Sequence, residues 1–284
     1  MVGVLFDGVA YGSLLFIVSL GLSVTMGLMN FVNLAHGAFA MAGGYVTVVA
    51  MTRLGVPFLA ALPLAFLATA AAGAVLERLL YRKLYRASHL DQVLFSIGLT
   101  FMAVAAATWI FGPVQQPVRL PELLRGQVHV AGVDLGAYRI FLIAVVAALA
   151  FVLALAVRCT RFGTQVRAAV DDARVARGMG IDVDRVFCVT FAIGSGLAGL
   201  GGALGIDVLG LDPSFPFKFM AYFLLVVVVG GAGHIPGTLA AALVLGILDS
   251  AGKYYVPQAA VFVIDAAMVA MLVAFPGGLF ARRG

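Results

Sequence analysis

Three polar side chains raise the question of chemistry. Asn30, Asn33 and His36 stand three residues apart in MGLMNFVNLAHGAFAMAGGY (residues 26–45), inside a stretch from Gly8 to Thr52 that holds no Lys, Arg, Asp or Glu. An imidazole and two amides in such a place can relay a proton, bind a solute or satisfy backbone groups. Asp265, midway along AVFVIDAAMVAML, is the clearest ionisable group within an apolar run. A carboxylate there suits a proton or cation site, or a structural bond to a neighbouring helix. His36 and Asp265 together would serve a proton-coupled secondary transporter, although no paired partner for either is apparent.

The remaining motifs speak against chemistry on this chain. GSGLAG (194–199) matches a dinucleotide fingerprint, but it continues as LGGALG within an apolar run, whereas that fingerprint needs a βαβ unit and a later acidic residue. Gly194, Ala198 and Gly202, with Ser195 and Gly199 beside them, instead fit the small-residue spacing that lets membrane helices approach closely. GGAGHIPG (230–237) lacks the Lys and Ser/Thr of a phosphate-binding loop,. Cys159 and Cys188 form no disulfide framework, and no Cys/His cluster suggests a metal site,. The chain is expected to be non-catalytic, with no cofactor of its own.

These residues must be positioned by membrane helices. Hydrophobic residues make up 63% of the chain and charged ones 11%, with a mean hydropathy of +1.10, far from a soluble domain. A crossing takes about 20 apolar residues, so the chain has room for about eight or nine. The expected fold is all-α, a polytopic transmembrane helical bundle forming one domain over residues 1–284. Crossings are expected near 9–29, 38–52, 56–76, 93–112, 140–157, 186–206, 219–233, 237–252 and 258–275. The start, MVGVLFDG, lacks the basic region of a secretory signal, so the first run is expected to be retained as a span,.

Basic residues set the orientation. Arg78, Arg82, Lys83, Arg86, Arg158, Arg161, Arg167, Arg174, Arg177, Arg185, Arg282 and Arg283 fall on one face. A nine-span arrangement with the N-terminus outside and the C-terminus cytoplasmic accommodates them, leaving residues 113–139 outside and 158–185 inside. The basic pI is then loop asymmetry and calls for no nucleic acid. Two short spans each follow a glycine-bearing turn with a histidine, NLAHGAF (33–39) and GGAGHIPG. Such paired interruptions are a pointer to a transport pathway in a repeated fold. In the segment 158–185, Val166, Ala169, Val170, Ala173 and Ala176 recur at helical spacing, while Arg167, Asp171 and Arg174 line another face with i,i+4 and i,i+3 pairs,. A short amphipathic helix with an alanine face and mixed charge suits a protein groove better than a lipid surface.

The run at 26–45, the segment LERLLYRKLYR (76–86) with FSIGLT (95–100), the loop TRFGTQVRAAVDDARVARGMGI (160–181) and the turn VVGGAGHIPG (228–237) together resemble the permeases of branched-chain amino acid ABC importers. The resemblance covers essentially the whole chain. AFPGGLF departs from the family pattern at Phe275. The resemblance implies a multi-pass protein of the bacterial inner membrane, partnered by a second related permease chain, two cytoplasmic ATPase subunits that bind ATP and Mg, and an external substrate-binding protein. It implies a solute such as a branched-chain amino acid, or a related small amide, urea or carboxylate. It makes 160–181 the coupling segment, with Arg161, Arg167, Asp171, Asp172, Arg174 and Met179 toward the ATPase, and it sets Arg119, Arg125 and Arg139 toward the binding protein. Candidate pathway residues are Asn30, Asn33, His36, Gly37, Ser96 and Thr100. Because the uncharged stretch leaves almost no room for a loop, MNFVNLAHG is expected to be a polar hinge whose side chains satisfy backbone that lipid cannot.

Overall fold

The computed structural model describes residues 1–29, 31–85, 87–130, 133–275 and 278. The chain opens with α1 (Val2–Met29), α2 (His36–Arg53) and α3 (Phe58–Leu76); α3 runs through a π-helical turn, Glu77–Tyr81, into α4 (Arg82–Leu84). After α5 (His89–Phe111) come the short α6 (Glu122–Arg125) and an antiparallel hairpin of β1 (Gln127–Val130) and β2 (Val133–Gly136), with Gln127 opposite Gly136. Then follow α7 (Ala137–Cys159), α8 (Arg161–Asp171), α9 (Ala173–Gly178), α10 (Val183–Leu209), α11 (Phe215–Gly230), α12 (Ile235–Tyr255) and, after a 3-10 turn, α13 (Ala260–Ala274).

Among the described residues every expected crossing coincides with a helix. Seven helices are long and apolar enough to cross a bilayer: α1, α3 with its continuation, α5, α7, α10, α12 and α13 with its lead-in turn. At 16 residues α11 is shorter, while α2 is diluted by His36, Gly43, Gly44 and Arg53. The hairpin adds a little strand to a fold expected to be all-α. The β-branched Val128, Val130 and Val133 favour extended backbone there,.

The expected end of the third crossing at 76 was set by the charges of Glu77 and Arg78, and the helix passes through both. Glu77 is 1% exposed and accepts a hydrogen bond from Tyr85 Oη at 2.5 Å. Its carboxylate is therefore held inside the bundle.

Helices α1 and α10 form the centre. Their most apolar windows are 78% buried, against 17%, 11% and 6% for α5, α7 and α13. The small residues of α10 explain how it reaches this position. A Cβ on Gly194 would meet the Gly21 carbonyl of α1 at 2.9 Å, one on Gly202 would overlap the backbone of Ala40 in α2, and one on Gly199 would overlap Thr69 of α3. The expected close-packing seam is thus used on three sides at once.

Candidate functional site

The broken backbone between α1 and α2 gathers the polar residues of the sequence motif. His36, the first residue of α2, donates from Nε2 to the Val18 carbonyl of α1 at 2.8 Å. Val18 precedes Met29, the end of α1, by 11 residues, or about 16 Å of helix. Helix α2 therefore starts deep beside α1, and residues 31–35 fold back outside any helix, the Asn33 and Ala35 carbonyls accepting turn bonds from the N–H groups of His36 and Ala38.

Their polar groups find partners in side chains. Asn33 Oδ1 accepts from the Ala35 N–H at 3.0 Å and from Tyr81 Oη at 2.9 Å. The Leu34 N–H donates to Ser96 Oγ at 3.2 Å, and Thr100 Oγ1 donates to the Ser96 carbonyl at 2.8 Å and more weakly to that of Leu34 at 3.4 Å. Asn33, His36, Ser96, Thr100 and Tyr81 are all buried. Non-helical backbone at such depth is tolerated only where protein supplies its partners, and these residues do so. Gly37 lies against Pro216 of α11, where a Cβ would sit 3.1 Å from the proline Cα. Asn30 lies outside the described residues.

Tyr81 was not singled out from sequence. It sits among Phe31, Phe95 and Phe191 with ring centroids 4.7–5.4 Å away, whereas in the sequence it stands in ERLLYRK (77–83), which reads as the charged end of a span. The missing signal is the π-helical turn, a feature frequent at functional positions, which has no sequence signature. Immediately after it, Arg82 pairs with Asp184 of α10, and Asp184 also accepts from Arg177 of α9 at 2.9 Å.

The second histidine turn docks on α1 as well. The Gly233 N–H donates to the Ser23 carbonyl at 2.9 Å, Ser23 Oγ and Thr238 Oγ1 lie 3.0 Å apart, and His234 Nδ1 caps α12 by accepting from the Gly237 N–H at 3.0 Å. Both turns thus end on the same central helix.

The model of a family described as "Branched-chain amino acid transport system / permease component" matches residues 4–274. The chain belongs to this family. It is 28% identical to the high-affinity branched-chain amino acid transport system permease protein LivH of Escherichia coli, across 98% of this chain and 94% of that one. It is also 28% identical to BraD of Pseudomonas aeruginosa, across 87% and 85%, and 27% identical to LivM of Salmonella typhimurium, across 93% and 67%. No solved structure matches. The chain is a multi-pass inner-membrane permease.

In this permease the segment expected to be one amphipathic helix is two, because Asp172 adopts extended backbone and caps α9, accepting from the N–H groups of Arg174 at 2.7 Å and Val175 at 3.0 Å. The Val175 and Arg174 amides hold the Asp172 carboxyl below its usual value,. The break corrects the expected charge pairs: Arg167 turns back to the Val157 carbonyl, and Arg174 belongs to the next helix. The alanine face is also reassigned. Ala169 and Ala176 are buried with Leu28, Val183, Val186 and Phe187 of the permease's own bundle. Outward stand Val170, Val175 and Met179, together with Arg161, Arg167, Asp171, Asp172 and Arg174.

At the opposite end of the permease, Arg119, Arg125 and Arg139 are exposed. Arg139 pairs with Asp7 of α1, and the Gln116 N–H donates to the Leu211 carbonyl at 2.8 Å, so the loop after α5 and the α10–α11 turn share this end. Asp265 is exposed on α13, which packs on α11 and α12. No hydrogen bond or ion pair joins it to His36, whose Nε2 is engaged by Val18, so the geometry gives the proton-relay alternative no support.

Proposed function

We propose that this chain is the membrane-spanning permease subunit of an ATP-driven ABC importer for branched-chain amino acids or a related small amide, urea or carboxylate. It crosses the bilayer nine times, with its N-terminus outside and its C-terminus in the cytoplasm. It pairs with a second, related permease, takes solute from an external binding protein docked around Arg119, Arg125 and Arg139, and is driven by two ATPase subunits that carry ATP and Mg.

The observation that carries this reading is the inner segment 161–178. Two short helices are fastened to the bundle by buried alanines, yet they present Val170, Val175 and Met179 among charges of both signs. That is the surface of a docking element, and it lies at the Arg-rich end that the charge rule places in the cytoplasm. Between this segment and the Gly233–His234 turn lies a cavity of about 370 Å³ lined by Val24, Gly27, Val166, Arg167 and Asp171. Movement of α8 therefore has room to act on a turn that is tied to α1.

The polar break at 31–36, with Gly37, Ser96 and Thr100, is the hinge bordering the solute path. Its groups are committed to backbone bonds, which suits a hinge more than a tight solute site. Weak solute contacts favour release.

Reconstitution in proteoliposomes with the candidate ATPases and binding protein tests the reading. Uptake is expected to require ATP and the binding protein; uptake that persists without ATP and collapses with the proton gradient would overturn it.

A further inference from the structure

The outer end of the bundle encloses a cavity of about 480 Å³, within the range of about 300–1,000 Å³ common for small-molecule sites. Two ion pairs stand in its lining. One joins Arg139 of α7 to Asp7 of α1. The other, within α12, joins Lys253 Nζ to Asp249 Oδ2 at 2.6 Å. Lys253 also lies over the Tyr11 ring, 5.1 Å from its centre, which holds the ammonium by the ring's negative face. Val208, Leu209 and Phe219 supply apolar lining.

The two members of the α12 pair are unequal. The Asp249 side chain is 7% exposed and that of Lys253 62%. A buried carboxylate must keep a cationic partner, but the partner need not be Lys253, whose long stem can carry its charge back to water. Arg139, at 44% exposure, is likewise free to exchange Asp7 for another carboxylate, and its planar fork suits one. The four groups sum to zero charge. A ligand bearing one ammonium and one carboxylate keeps the net charge of the site at zero: it takes over Asp249 and Arg139 and releases Lys253 and Asp7, whose side chains are 62% and 38% exposed, to solvation by water.

We propose that this cavity is a receiving site for a zwitterionic α-amino acid, with Asp249 taking the ammonium, Arg139 the carboxylate, and the apolar lining an aliphatic side chain. The proposal rests on the importer reading, which brings an amino acid to this end of the permease. A phosphatidylethanolamine headgroup carries a similar pair of charges, so the test separates the two sources.

Saturation-transfer NMR with L-leucine tests it, on the full chain assembled with its partner permease and ATPases in phosphatidylglycerol nanodiscs, without binding protein. Leucine is expected to bind saturably and weakly. Leucinamide, which lacks the carboxylate, and isocaproate, which lacks the ammonium, should each bind about tenfold or more weakly, as should leucine to Asp249→Asn or Arg139→Gln. Absence of saturable leucine binding, binding of either analogue as tight as that of leucine, or undiminished binding by the variants would overturn the proposal. So would loss of the leucine signal when phosphatidylethanolamine is added, which assigns the cavity to lipid. Should Asp249→Asn fail to assemble, Arg139→Gln at the exposed start of α7 still decides. ATP-driven uptake in the same preparation, with binding protein added, separates the two claims: uptake without leucine binding removes this site alone, and absence of ATP-driven uptake removes the importer reading.

Discussion

Tyr81 Oη donates to Asn33 Oδ1 at 2.9 Å, tying the last residue of a π-helical turn to the broken backbone between α1 and α2. The next residue, Arg82, pairs with Asp184, which also holds Arg177 of α9. Adjacent residues therefore reach the broken backbone directly and α9 through Asp184. Contiguity alone does not make a coupling route, and Tyr81→Phe tests whether this one carries anything. The substitution keeps the ring among Phe31, Phe95 and Phe191 and removes one hydrogen bond with a net worth of about 0.5–1.5 kcal/mol. A small drop in the unfolding midpoint is expected, with a larger fall in solute moved per ATP hydrolysed. An unchanged ratio would leave Tyr81 a packing residue.

His36 divides a structural role from a proton-carrying one. Its Nε2–H is committed to the Val18 carbonyl and it is 3% exposed, so its contribution is a fixed donor. His36→Gln retains a donor and is expected to keep most uptake, whereas His36→Phe leaves the Val18 carbonyl without its side-chain partner and should lose about 1–3 kcal/mol of stability. The dependence of uptake on pH between about 5 and 8, where an ordinary histidine titrates, should be the same for wild type and His36→Gln. A pH profile that flattens in the variant would restore the proton-carrier role.

The polar break between α1 and α2 was legible because its chemistry is local. A charge-free stretch with almost no room for a loop had to contain a turn, and a turn at depth needs amides and hydroxyls; Asn33, His36, Ser96 and Thr100 meet there. The packing seam of α10 was legible for the same reason, since only small residues admit a neighbouring backbone. Tyr81 and Glu77 were not legible. Burial of a carboxylate against Tyr85, and the aim of a tyrosine set by a π-helical turn, depend on how α3 and α4 pass α5 and α10. No periodicity records that. The segment 161–178 was half legible: the helical pattern was present, but Asp172 as a cap between two helices, and the burial of the alanine face by Leu28 and Phe187, are tertiary outcomes.

That reassigned surface makes a specific claim about the ATPase. Val170, Val175 and Met179 are 47%, 56% and 78% exposed, in contrast with the buried Ala169 and Ala176. Val170→Asp and Met179→Asp are expected to abolish co-purification of the ATPase subunit while leaving the helical content and size of the permease unchanged. Charge reversal at Asp171 or Arg174 should weaken association in the same direction. Ala169→Glu should act differently, loosening the segment from Val183, Val186 and Phe187 and accelerating hydrogen exchange across α8. Retention of the ATPase by both Val170→Asp and Met179→Asp would show that this face is not the contact.

The glycines of α10 give the steepest contrast. A Cβ at Gly202 would overlap the Ala40 carbonyl, and one at Gly199 would overlap Thr69, whereas a Cβ at Gly98 in α5 meets nothing within 4 Å. Alanine at Gly202 must push α2 away from α10, and because His36 and Gly37 stand about one turn before Ala40 in α2, the displacement bears on the broken backbone at 31–36. Overpacking of this kind costs about 1–3 kcal/mol, occasionally more. Gly202→Ala and Gly199→Ala should therefore lower the unfolding midpoint in detergent or fail to accumulate, and Gly98→Ala should be neutral or mildly stabilising, since alanine is the better helix former. Equal behaviour of the three variants would mean that α2, α3 and α10 do not approach as closely as the glycine seam requires.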